Sequence, residues 1–158
     1  MKLGDVLRKE REGKGLSHVE LSVAEVADKL GISEEEYLGL EGGESPAEVW
    51  GPRLAQIAIK LETPTSRLLA ESGRFADTEA GSAGDLIREH RQRRELSPAE
   101  VAEYAGVTEE EYQQIEAGES PLEKYGPLLL GFAEVIEQPV FNLFYPCGLP
   151  FQELDDYP

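Results

Sequence analysis

The sequence predicts an all-α protein that contains two copies of one helical unit in tandem. Two observations predict this fold class. The segment from Leu21 to Pro52 aligns without gaps on the segment from Leu96 to Pro127, at a constant offset of 75 residues. Both segments also place apolar residues at intervals of three and four, which is typical of helices that bury one face. A repeat of this kind indicates that each copy is one supersecondary unit.

The first helix of each copy is predicted from a short apolar pattern that runs into basic residues. In the second copy Leu86 and Ile87 precede the run RQRR, and in the first copy the matching stretch is LGDVLRKER. Gly4 matches Gly84 at an offset of 80 rather than 75. The first copy therefore carries an insertion near residues 15 to 20.

The second and third helices are predicted from their capping residues. Ser97 is followed by proline and then by Glu100, a pattern in which the serine oxygen and the carboxylate satisfy each other's backbone amides. Gly106 ends this helix, because glycine tolerates a positive φ. Thr108 and Glu111 repeat the capping pattern for the third helix. The matching residues of the first copy are Ser22, Glu25, Gly31, Ser33 and Glu36.

A fourth helix is predicted to begin near Pro52 in the first copy and near Pro127 in the second, and a short fifth segment follows Pro64 and Pro139. The stretch from Glu71 to Gly84 is rich in Gly, Ala, Ser and acids, which favours a linker. A short helix that caps the first unit is the alternative. The predicted domains are a first unit at 1–70, a linker at 71–83, a second unit at 84–146 and a tail at 147–158.

The tail is aromatic, acidic and rich in proline, and two roles fit this composition. It either wraps over the core of the second unit or docks onto a partner or a second subunit. The role of the tail stays open at this point.

The charge balance is strongly acidic, with 32 Asp and Glu against 15 Lys and Arg and a net charge of −17. Because affinity for DNA comes largely from cations that neutralise phosphates, the molecule as a whole is expected to be repelled by a polyanion. No apolar run approaches the length of a membrane span. A single cysteine fits a reducing compartment, so we expect a cytoplasmic protein.

No constellation of residues predicts an enzyme. His18 and His90 are far apart and have no cysteine or carboxylate at metal-ligand spacing, so no metal or other cofactor is expected. The glycine-rich stretch GLEGGES lacks the lysine and the preceding strand of a phosphate-binding loop. Cys147 has no histidine positioned to activate it.

Both copies resemble the Xre family of regulators, which includes the Cro and phage repressors. The residues that carry the resemblance are LSVAEVADKLGIS with LEGG in the first copy and LSPAEVAEYAGVT with IEAG in the second. The resemblance implies two lambda-repressor-like helix-turn-helix units of four to five helices each. It also implies that the third helix of each unit is a recognition helix for the DNA major groove.

The recognition helices depart from what this resemblance implies. Base-facing positions map onto Ser33, Glu34, Glu35 and Gly39 in the first copy and onto Thr108, Glu109, Glu110 and Gln114 in the second. DNA-binding members place hydrogen-bond donors there, whereas this chain has the run EEE in both copies. Acids at a helix N-terminus are favoured by the helix dipole, which explains why the run is tolerated but not why both copies lack donors.

The cations are concentrated in the first helices, which hold nine of the fifteen. The resemblance implies phosphate contacts for this region, and the candidate residues are Arg8, Lys9, Arg11, Arg88, Arg91 and Arg94. A solvated basic face, or charge pairing with the acidic helices of another molecule, is the alternative.

These observations favour a transcriptional regulator that acts through protein contact by its acidic recognition helices, without a cofactor and without a membrane. A direct sequence-specific DNA binder of the Xre type is the alternative. A protein partner is expected, DNA is disfavoured by charge, and a homodimer is compatible with the sequence.

Overall fold

The structure is a computed structural model that describes residues 2–15, 19–63, 68, 81–137 and 143. Within these residues it contains eight helices and no strand, so the all-α prediction is confirmed. The first four helices are α1 (Leu3–Arg11), α2 (Val23–Leu30), α3 (Glu34–Glu41) and α4 (Ala47–Lys60). The other four are α5 (Ser82–Arg93), α6 (Pro98–Ala105), α7 (Glu109–Glu116) and α8 (Leu122–Val135).

The helix bounds repeat with the sequence offset. Each of α2, α3 and α4 begins and ends 75 residues before α6, α7 and α8 respectively. The helix α5 starts at Ser82 and Ala83 is already buried, both within the last residues of the predicted linker at 71–83. Residues 71–80 of that linker, Pro64, Pro139 and the tail at 147–158 lie outside the described residues.

The predicted caps of the second and third helices are confirmed, with one exception: Ser33 accepts from the amide of Glu36, but Glu36 does not cap the amide of Ser33 in return and pairs with Lys124. Ser97 Oγ accepts a hydrogen bond from the amide of Glu100 at 3.2 Å, and Glu100 Oε1 accepts one from the amide of Ser97 at 3.3 Å. Gly106 ends α6 with a φ of 75°. The reciprocal pairs also form between Ser22 and Glu25 and between Thr108 and Glu111. These helix boundaries follow from hydrogen bonds between residues three apart, so they can be predicted from the sequence.

The predicted start of the fourth helix is wrong in both copies. The helix α4 begins at Ala47 and contains Pro52, and α8 begins at Leu122 and contains Pro127. Ser45 Oγ accepts a hydrogen bond from the amide of Ala47 at 3.1 Å. Ser45 and Pro46 therefore mark the start of α4 more closely than Pro52 does, but their hydrogen bond differs from that at α6, where Ser97 accepts from the amide three residues on.

The first helix of each copy is capped by a carboxylate of the fourth helix. Neither Lys2 nor Gly81, which precede α1 and α5, supplies a side-chain cap. Instead Glu48 accepts from the amides of Leu3 at 3.1 Å and Gly4 at 2.6 Å, and Glu123 does the same for α5. Because a carboxylate at a helix N-terminus satisfies free amides and opposes the dipole, each cap ties the fourth helix to the first.

The two copies share one hydrophobic core. Between the copies, α4 packs on α8 and on α6, and α2 packs on α8. The helices α2 and α4 correspond to α6 and α8 in the second copy. When each helix is replaced by its counterpart, the same set of contacts results, as expected for an approximately two-fold interface within one chain. The rings of Tyr37 on α3 and Phe132 on α8 also stack between the copies, with their centroids 6.3 Å apart.

Candidate recognition surface

The outward face of α3 is formed by four residues. The core side of this helix carries Tyr37 and Leu40, both buried. With about 3.6 residues per turn, the opposite side carries Glu34, Glu35, Leu38 and Gly39. The two glutamates are exposed, Gly39 is half-buried, and Ser33 caps the helix by accepting from the amide of Glu36 at 3.1 Å.

The outward face of α7 is built in the same way but from different side chains. Tyr112 and Ile115 are buried in the core. Glu109, Glu110, Gln113 and Gln114 are exposed on the other side, and Thr108 caps the helix.

The sequence prediction missed one residue on each outward face, Leu38 and Gln113. Leu38 is 53% exposed, and Gln113 is its counterpart in the second copy. Helical spacing is the signal that could have found them, because they follow the first outward glutamates by four residues.

The outward glutamates are not neutralised within the described part of the chain. Glu34, Glu35, Glu109 and Glu110 make no hydrogen bond or ion pair with any described residue, and all four are exposed. Arg53 on α4 lies over the ring of Trp50 at 4.8 Å from its centroid. Arg67 and Arg74 lie outside the described residues.

The third glutamate of each run has a partner within the described residues. Glu36 forms an ion pair with Lys124 on α8, and the hydrogen bond to Glu36 raises the pKa of Lys124 above its ordinary value. The Glu111 carboxylate accepts a hydrogen bond from the amide of Thr108 at 3.0 Å, and hydrogen bonding to Thr108 lowers the pKa of Glu111. A smaller lowering comes from the charge of Arg53 on α4. Glu36 therefore pairs across the interface between the copies, and Glu111 is influenced from across it.

Arg11 and Arg91, two of the predicted phosphate contacts, are bound to carboxylates inside the fold. Arg11 donates to both carboxylate oxygens of Glu41, at 2.6 and 3.1 Å, and to the carbonyl of Leu21 at 3.1 Å. Arg91 repeats this arrangement with Glu116, at 2.6 and 3.0 Å. The two guanidinium side chains are only 12% and 13% exposed. They join the first and third helices and are held away from the surface.

The other candidate phosphate contacts lie at the surface. Arg8 pairs with Asp5 at 3.0 Å and Arg88 with Asp85 at 2.8 Å, both on their own helices. Lys9 is exposed. Arg94 donates to the carbonyl of Glu62 at 3.2 Å and therefore links the second copy to the end of α4.

Neither a metal-binding cluster nor a membrane-spanning helix occurs among the described residues. In that part of the chain, no group of three or more His, Cys, Asp or Glu residues could hold a metal ion. None of the helices described there is both long and apolar enough to cross a bilayer.

Comparison with known protein families identifies one domain. Residues 82–129 match the family described as helix-turn-helix domain, a range that runs from the start of α5 into α8. No curated protein and no solved structure matches the chain. The match is consistent with a regulator that contains a helix-turn-helix domain, and the finer assignment to the Xre family stays a prediction.

Proposed function

We propose that this chain is a regulator of the Xre type whose recognition helices α3 and α7 contact a basic protein rather than read DNA. The observation that carries the proposal is the outward pair of glutamates on each helix, which stays unneutralised within the described residues. A helix in the major groove would bring these carboxylates close to phosphate oxygens. A basic protein surface would instead attract these carboxylates electrostatically.

The magnitude of the repulsion favours this proposal. For a carboxylate about 7 Å from a phosphate at an effective dielectric constant near 40, the repulsion is about 1 kcal/mol. Four outward carboxylates would therefore oppose binding by several kcal/mol in total, which is comparable to the gain of a few good base contacts. Arg11 and Arg91 do not offset this cost, because their charges are used inside the fold.

Direct sequence-specific DNA binding is the second candidate, and two observations favour it. Residues 82–129 match a helix-turn-helix domain, and the outward face of α7 carries Gln113 and Gln114. A glutamine amide can bond to adenine through two hydrogen bonds, and a glutamate can accept from cytosine. Under this hypothesis Glu109 and Glu110 read cytosines.

One substitution experiment distinguishes the two candidates. The variant replaces all four outward glutamates by glutamine: Glu34→Gln, Glu35→Gln, Glu109→Gln and Glu110→Gln. The control variant removes the same number of charges from exposed positions elsewhere: Glu20→Gln, Asp28→Asn, Glu103→Gln and Glu137→Gln. Binding to random-sequence and genomic duplex DNA is measured by gel shift at two salt concentrations, because the phosphate contribution appears in the salt slope.

Protein contact predicts weak DNA binding by the wild type and a larger gain of non-specific affinity in the outward variant than in the control. DNA reading predicts the opposite, since each lost cytosine contact costs about 1–3 kcal/mol. Tight binding of the wild type to one site, lost in the outward variant and kept in the control, would therefore refute the protein-contact proposal.

A further inference from the structure

The outward faces of α3 and α7 share their glutamates but differ at the next turn. In α3 the next turn carries Leu38 and Gly39, whereas in α7 it carries Gln113 and Gln114. Leu38 is among the few large apolar side chains that the described residues expose, with 53% of its surface accessible. The outward face of α3 therefore combines carboxylates with an apolar side chain, whereas that of α7 combines carboxylates with glutamine amides.

Within the described chain, neither side-chain packing nor backbone conformation requires a glycine at position 39, where the chain has Gly39. It lies inside a helix, where glycine is less stable than alanine, and its φ is not positive. A Cβ atom at this position would meet no atom within 4 Å. This contrasts with Gly4 and Gly84, where a Cβ would collide with backbone carbonyl groups of α3 and α7. Because Gly39 has no side chain, there is open space beside Leu38 on the outward face of α3.

We propose that α3 docks a basic amphipathic helix of a partner protein, with the partner's backbone passing over Gly39. The partner's apolar residues cover Leu38, and its Lys or Arg side chains pair with Glu34 and Glu35. These four residues occupy one side of α3, which matches the recognition mode of an amphipathic helix laid on a helix face. The inference rests on the proposed function and narrows it to one of the two recognition helices.

Charge selects the class of occupant. A second copy of this chain, at a net charge of −17, would be repelled as a whole, and its surface arginines Arg8 and Arg88 already pair with Asp5 and Asp85 on their own helices. A basic segment is attracted, and it can bury Leu38 without desolvating an unpaired carboxylate, since Glu34 and Glu35 lie within one turn of the leucine. The face of α7 has the same charge but no apolar anchor and no glycine for close approach.

The test uses a fluorescein-labelled synthetic peptide of about 18 residues, composed of Leu and Lys at amphipathic helical spacing. Its binding to the full chain is followed by fluorescence anisotropy. We expect one peptide per chain and a loss of affinity of at least about tenfold in Leu38→Gln, because truncating a central anchor is costly. Glu34→Gln/Glu35→Gln should weaken binding similarly, whereas the matched variant Glu109→Gln/Glu110→Gln should stay within about twofold of wild type.

Gly39→Ala is the decisive variant because no described atom obstructs its methyl group, so the fold should be kept. Its methyl group enters open space and favours the helix, so the unfolding midpoint should stay equal or rise. Peptide affinity should nevertheless fall, because the methyl group blocks the close approach.

Three results would overturn the inference: no peptide binding by the wild type, an affinity that Gly39→Ala or Leu38→Gln leaves unchanged, or a loss of affinity in the Glu109→Gln/Glu110→Gln variant in place of the Glu34→Gln/Glu35→Gln variant. If the Glu109→Gln/Glu110→Gln variant loses peptide affinity instead, α7 is the docking helix, and this inference fails while the proposed function stands. The proposed function itself is decided separately by the DNA experiment.

Discussion

Replacing Arg91 by methionine should destabilise the fold much more than replacing its neighbour Arg88. Methionine keeps most of the aliphatic volume but leaves the Glu116 carboxylate, whose side chain is 11% exposed, without its two-bond partner. Removing one member of a buried ion pair costs about 3–5 kcal/mol. With a urea m-value of about 2 kcal/mol/M, the unfolding midpoint should fall by about 1.5–2.5 M.

The assay is equilibrium urea unfolding followed by far-ultraviolet circular dichroism, with Arg88→Gln as the matched control. Arg88 pairs with Asp85 at the surface, so its loss should cost less than about 1 kcal/mol. The double variant Arg91→Met/Glu116→Gln should recover part of the stability, because it removes the uncompensated charge. If Arg91→Met is no more destabilising than Arg88→Gln, the structural role assigned to Arg91 is wrong.

Three further predictions concern the core, a helix crossing and pH. Phe132→Ala should cost about 3–5 kcal/mol, since the ring is buried against Tyr37 between the copies, and urea unfolding should still show one transition for both copies. Gly84→Ala should lower the thermal unfolding temperature, because a Cβ would lie 2.7 Å from the carbonyl oxygen of Glu116, whereas Gly39→Ala should not. Burial lowers the pKa of His90, so its contribution to stability is complete above its ordinary pKa of 6.5 and is lost as the pH falls below that value. His90→Gln should flatten the pH dependence of the unfolding midpoint in this window, and an unchanged slope would contradict the assignment.

The candidate surface was largely predictable from the sequence because it follows from helix phase. Once Ser33 and Thr108 are recognised as caps, the positions of Glu34, Glu35, Glu109 and Glu110 on their helices are fixed. Leu38 was missed because an apolar residue in a helix is ordinarily assigned to the core. Its exposure depends on which side of α3 meets the other helices, which the local sequence does not specify.

The sequence by itself determined the elements: eight helices in the described residues, most of their boundaries, and the repeat that relates them. These features depend on hydrogen bonds between residues a few positions apart and on helical periodicity. Both can be recognised from residues that are close together in the sequence. The tertiary structure decided which charges are available. Arg11 and Arg8 look alike in the sequence, yet Arg11 meets Glu41 from a distant helix and Arg8 stays at the surface. Only folding brings such distant groups together, so only the structure separates the cations that hold the fold from those that can meet a partner.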